Sequence, residues 1–238
     1  MVGMRESLLV PERQLRIAGI CWAGAGLVYL LAEAAAASAF PNYSYAVNYV
    51  SDLGVPDVEV LAGRRIDSPL WPVMTLGFGV QGVLFALGAV LAVRSSRQPL
   101  GRVFVVFALV HGLGMVVIAA VHGGQATIAA GLGWVHLLGA GLALLGGQAA
   151  VIVAGAALLR RRGRTSTDVR LGAVSIALGV VGFLGIVMLE IDVRVVAGTI
   201  LADGVWERIG FYAIIAWELL IGVALTARRP DPRGIGAP

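Results

Sequence analysis

Six apolar runs limit what this chain can fold into. They lie at about 17–39, 69–93, 101–121, 134–159, 171–191 and 209–227, and each supplies the roughly 20 residues that a helix needs to cross about 30 Å of hydrocarbon. Backbone groups in lipid have no water to bond, so each run must satisfy itself as a helix. The pattern predicts an all-α fold, a polytopic membrane bundle of six transmembrane helices spanning 17–227, with an N-terminal arm at 1–16 and a tail at 228–238. Composition removes the soluble alternative. The chain is 58% hydrophobic and 13% charged, with a mean hydropathy of +0.88, whereas soluble domains carry about 25% charged residues.

Six spans put both ends of the chain on one side, and arginine indicates which. The arm (Arg5, Arg13, Arg16), the turn after the second run (Arg94, Arg97, Arg102), the next turn (Arg160, Arg161, Arg162, Arg164, Arg170) and the tail (Arg228, Arg229, Arg233) share that side. The opposite side holds only Arg64, Arg65, Arg194 and Arg208. Positive residues gather on the cytoplasmic face, so both termini are expected there and the long 40–68 loop outside. All 18 basic residues are arginine, a bias expected of a GC-rich bacterial genome and hence of a bacterial inner membrane. The sequence pI of about 9.8 does not imply a nucleic-acid partner, because the arginines sit in short clusters between apolar runs and form no recognition helix. A single cysteine, Cys21, excludes an internal disulfide and a cysteine-based zinc cluster. The first run ends Ala37-Ser38-Ala39, like a signal-peptidase site. Its apolar stretch is too long for such a signal and Glu33 interrupts its end, so it is expected to remain as a span.

The chain contains 33 glycines. Helices in lipid gain little hydrophobic energy by meeting, so close approach through small residues drives their association. Gly139, Ala143 and Gly147 form one smooth stripe; Gly179, Gly182 and Gly185 form another. They suit packing within the bundle first, and a homo-oligomer through Gly/Ala faces second.

The segment Val47–Pro56, VNYVSDLGVP, follows the first run. An aspartate, a glycine with access to positive φ and a helix-stopping proline are turn chemistry. Phe40, Tyr43, Tyr45 and Tyr49 around it are expected at the membrane interface. VNYVSDLG, followed after a gap by SPLW at the start of the second run, resembles the bacterial and archaeal family called domain of unknown function 998. WERIGFYAIIAW, Trp206 to Trp217, is similar to that family's closing helix. A weaker likeness extends to the Frag1/DRAM/Sfk1 membrane proteins. The resemblance covers nearly the whole chain and implies architecture, since the family has no established activity. It points to Asn48, Ser51, Asp52, Gly54, Pro69, Glu207 and Arg208. Members often carry a proline or an acidic residue after the third span, where this chain has His122-Gly123-Gly124.

Polar residues at bilayer depth are costly, about 2.5–3.5 kcal/mol for a central charge on insertion scales. His111 and Glu218 each lie about ten residues along their runs, near the midplane, with Gln81 at similar depth and Gln148 lower. They read as interhelical hydrogen-bonding groups or as a proton- or ion-handling pair. Nearer the outer surface come Glu33, Asp52, His122, His136, Glu190, Asp192, Glu207 and Arg208. These predict an outward-facing polar vestibule, with an Asp52–Arg208 pair as one natural contact. His122 and His136 are suitable metal ligands but lack a metal-site spacing, so no metal is expected. No phosphate loop, nucleophile elbow or dinucleotide fingerprint is present and no cofactor is implied. The leading expectation is an integral membrane protein whose partners are membrane lipids. It would bind a lipid headgroup or small polar ligand through Asn48, Ser51, Asp52, Glu190, Glu207 and Arg208. The alternatives are a lipid hydrolase or transferase using Ser51 or Asp52 with His122 or His136, a proton- or ion-coupled transporter using His111 and Glu218, and an assembly partner.

Overall fold

In the computed structural model, residues 2–94, 99–161, 163–195 and 200–227 are described. Arg97, Arg162 and the expected tail at 228–238 lie outside them. Seven helices occur among the described residues: α1 Val2–Ala39, α2 Trp71–Val93, α3 Pro99–Ala120, α4 Gln125–Ala129, α5 Gly133–Leu159, α6 Ser166–Arg194 and α7 Asp203–Thr226. All but the five-residue α4 are long and apolar enough to cross a membrane. Residues 2–16 of the expected N-terminal arm are helical and continuous with the first span in α1.

The six long helices form a closed ring. Each packs against its neighbour in sequence (α1 on α2, α2 on α3, α3 on α5, α5 on α6, α6 on α7), and α7 returns to α1. Bare backbone sets these crossings. A Cβ on Gly155 of α5 would come within 2.6 Å of the Gly172 carbonyl of α6, and one on Gly222 of α7 within 2.7 Å of the Gly19 carbonyl of α1. Close approach of this kind is the packing that lipid-embedded helices favour. The Gly139, Ala143 and Gly147 stripe faces into the bundle, with Gly139 against Val117 and Gly147 beside His111. Trp22, Phe85, Phe104 and Trp217 fill the interior towards the arginine-rich end, with Trp22 and Trp217 ring centroids 5.0 Å apart.

The opposite end, here the loop end, carries the 40–70 connection. Ser51–Gly54 is one turn of 3-10 helix, with Asp52, Leu53 and Gly54 buried. Gly54 is not among the described glycines with positive φ. It lies against the Phe78 ring, where a Cβ would stand at 3.4 Å, an ordinary van der Waals distance. A short hairpin unforeseen from sequence follows, with β1 Glu59–Leu61 antiparallel to β2 Arg64–Ile66. Positive φ at Ala62 and Gly63 supplies its two-residue turn. Phe40, expected at the interface, is instead 4% exposed in the core with Val50, Leu53 and Ile66. The loop is therefore a packed cap on the ring.

Candidate functional site

Arg208 organises the loop end. It lies one turn into α7 and is buried. Its Nε donates to Glu33 Oε1 of α1 at 3.0 Å, and its Nη1 to the carbonyls of Tyr45 (2.7 Å), Asn48 (2.7 Å) and Gly204 (3.1 Å). Nη2 donates to the Tyr43 hydroxyl. The guanidinium also stands 4.9 Å from the Tyr45 ring centroid, a cation–π distance. Tyr212 donates to the other oxygen of Glu33 at 2.9 Å. Only a planar five-donor head can serve this set at once. The preceding residue, Glu207, accepts the backbone N–H of Val50. Two consecutive α7 residues thus hold the loop.

Asp52 anchors the other half of the cap. Its Oδ2 accepts from Tyr49 N (3.1 Å), Asn48 Nδ2 (3.2 Å) and Arg64 Nε (3.1 Å). Burial works against the Arg64 charge, but the hydrogen bond and charge of Asp52 outweigh it and hold Arg64 above the ordinary arginine value. Arg64 also lies over the Tyr49 ring at 4.2 Å, and the Tyr49 hydroxyl donates to Asp203 at 3.0 Å. Burial raises the Tyr43 and Tyr49 phenols above their usual values, so both stay neutral donors.

The expected residues therefore divide. Asn48, Asp52, Glu207 and Arg208 come together, but the Asp52–Arg208 pair does not form. Arg64 takes Asp52 and Glu33 takes Arg208. The reason is connectivity: the hairpin returns Arg64 to Asp52, and the crossing of α1 and α7 puts Glu33 beside Arg208. Ser51 has no hydrogen bond to either histidine among the described residues. Glu190 stands apart, largely exposed and paired with Arg194 one turn on. Asp192 accepts the Ile200 and Leu201 amides and the Trp206 indole, tying α6 to α7. His136 Nδ1 bonds the Val121 carbonyl at 2.8 Å. His122 packs edge-on to Trp71 with its Nε2 unpartnered, and burial lowers its pKa against the pull of Asp57. No group of three or more metal-ligating side chains occurs among the described residues.

Beside this cap, residues of α6, α7 and the 40–70 connection line an open cavity of about 560 Å³. Leu178 and Val181 of α6, Val205, Ile209, Tyr212 and Ala213 of α7, and Tyr45, Ala46 and Arg208 line it. Its volume is in the usual range for small-molecule sites, about 300–1,000 Å³. At the level of the whole chain, residues 23–224 match a family model described as "Protein of unknown function (DUF998)". The chain belongs to this family. No curated protein and no solved structure matches it. For this DUF998 member, six spanning helices and the family together give an integral, multi-pass membrane protein.

Sequence reasoning missed Arg64, Tyr43, Tyr212 and the Tyr49–Asp203 bond as parts of the cap. One signal was available: with four arginines on this side, a buried Asp52 has few possible partners.

Proposed function

We propose that this protein binds a membrane lipid at the loop end, with an acyl chain in the α6/α7 cavity and the headgroup against Tyr45 and Ala46. The observation that carries this reading is the cavity's apolar lining. Leu178, Val181, Val205, Ile209 and Ala213 make up most of it, beside Tyr45 and Arg208 of the cap. An acyl chain matches that lining, whereas a small polar ligand leaves most of it without a partner. Asn48, Asp52, Glu207 and Arg208 then act indirectly, by fixing the loop that forms the headgroup end. The distribution of arginine supports placing the loop end outside a bacterial inner membrane, with both termini cytoplasmic.

The test is native mass spectrometry of the purified chain with its retained lipids. Val181 is 51% exposed, so Val181→Trp fills the cavity without entering the core. Retained phospholipid is expected to fall at least several-fold with the folded fraction unchanged. Equal retention in this variant refutes the site.

A further inference from the structure

A second polar cluster lies half-way along the bundle and plays no part in the lipid reading. Glu218 of α7 is 0% exposed. Its Oε1 is 2.8 Å from Gln81 Nε2 of α2, and its Oε2 has no hydrogen-bond partner. None of the ion pairs among the described residues reaches it. From α1 it meets Gly26, where a Cβ would stand 3.4 Å from Oε2. His111 of α3, also 0% exposed, places Nδ1 2.7 Å from the Ala143 carbonyl. A carbonyl only accepts, so Nδ1 carries the proton and, in the neutral ring, Nε2 presents a lone pair. That nitrogen is 3.1 Å from one amide atom of Gln81 and 3.2 Å from the other.

An ionised carboxylate here would have one amide donor, no cation and no water-facing surface, the least favourable state for such a group. We propose that Glu218 is a proton-binding site at mid-depth, its carboxyl protonated and donating to Gln81, with the Gln81 amide turning as the proton comes and goes. The near-equal distances to His111 are the geometric basis. Which amide atom is oxygen is an assignment made from the hydrogen-bond network, and either orientation leaves an amide atom within reach of Nε2. With the oxygen towards Glu218, the acid O–H donates to Gln81, Gln81 N–H donates to Nε2, and Nδ1–H donates to Ala143. Each link in that one-way chain runs from a donor to an acceptor. Loss of the proton reverses the first link, and the amide turns to present N–H to the carboxylate. The other titratable side chains near this depth are Cys21 and Tyr29 of α1. The titratable residues of α5 and α6 lie near their ends, and α2 has none.

Infrared difference spectroscopy of the full chain in lipid nanodiscs at neutral pH tests this. Wild type minus Glu218→Gln is expected to show the carbonyl band of a protonated carboxylic acid, shifted in heavy water. Glutamine is close in shape to the neutral acid, so the variant retains the fold. Gln81→Leu should keep the band but move it to higher frequency, as the acid loses its acceptor. A difference spectrum without that band overturns the protonated state, and an unmoved band in Gln81→Leu overturns the amide contact.

Discussion

The Glu33–Arg208 pair allows a quantitative test of how the cap is held. Both side chains are nearly inaccessible, at 2% and 7% exposure. Replacing Arg208 with methionine keeps much of the volume but leaves Glu33 with no cation and a single Tyr212 donor. It also strips a donor from the carbonyls of Tyr45, Asn48 and Gly204. Breaking one side of a buried ion pair costs about 3–5 kcal/mol, and the orphaned carbonyls keep the expected loss at the upper end of that range. Glu33→Leu removes only one of the arginine's acceptors, since the other bonds to Nη1 and Nη2 remain, so about 2–3 kcal/mol is expected. The double variant should lose less than the sum by about 2 kcal/mol, as neither charge is then left alone. It should not recover the wild-type value, because the Tyr45 and Asn48 carbonyls still lack their arginine donor. Reversible unfolding in mixed micelles can be followed through Cys21, the single thiol, which is buried at 8% exposure and reacts with a fluorogenic maleimide once α1 separates. Strict additivity of the two substitutions, or a larger loss for Glu33→Leu than for Arg208→Met, would refute this account of the cap.

Sidedness and ring packing give two further tests. Sidedness is read with Val60→Cys on the exposed hairpin, 63% accessible, in a Cys21→Ala background: a membrane-impermeant maleimide should label it in intact cells, and labelling only after permeabilisation would invert the proposed orientation. Glycines in the ring should differ by position. A Cβ on Gly114 would meet the Gly139 carbonyl at 2.6 Å and Ala143 Cα at 2.8 Å, while one on Gly141 meets nothing within 4 Å. Gly114→Ala should therefore lose about 1–3 kcal/mol by overpacking and Gly141→Ala almost nothing, with similar stabilities for the two variants counting against ring packing through backbone approach.

The six spans were legible in the sequence because hydrocarbon imposes a one-dimensional rule. About 20 apolar residues with internally bonded backbone can be recognised without knowing what they touch. The depth of His111, Gln81 and Glu218 was legible for the same reason, since position along a helix gives position across the membrane. Pairing was not. Whether Arg208 meets Asp52 or Glu33 depends on which helix closes the ring and on a hairpin turning at Ala62-Gly63, and both are long-range facts carrying no local periodicity. The same limit explains Phe40 and Tyr43, drawn from the interface into the cap. A membrane dictates how each helix stands; the contacts between helices, set by glycine against backbone, decide which polar groups meet.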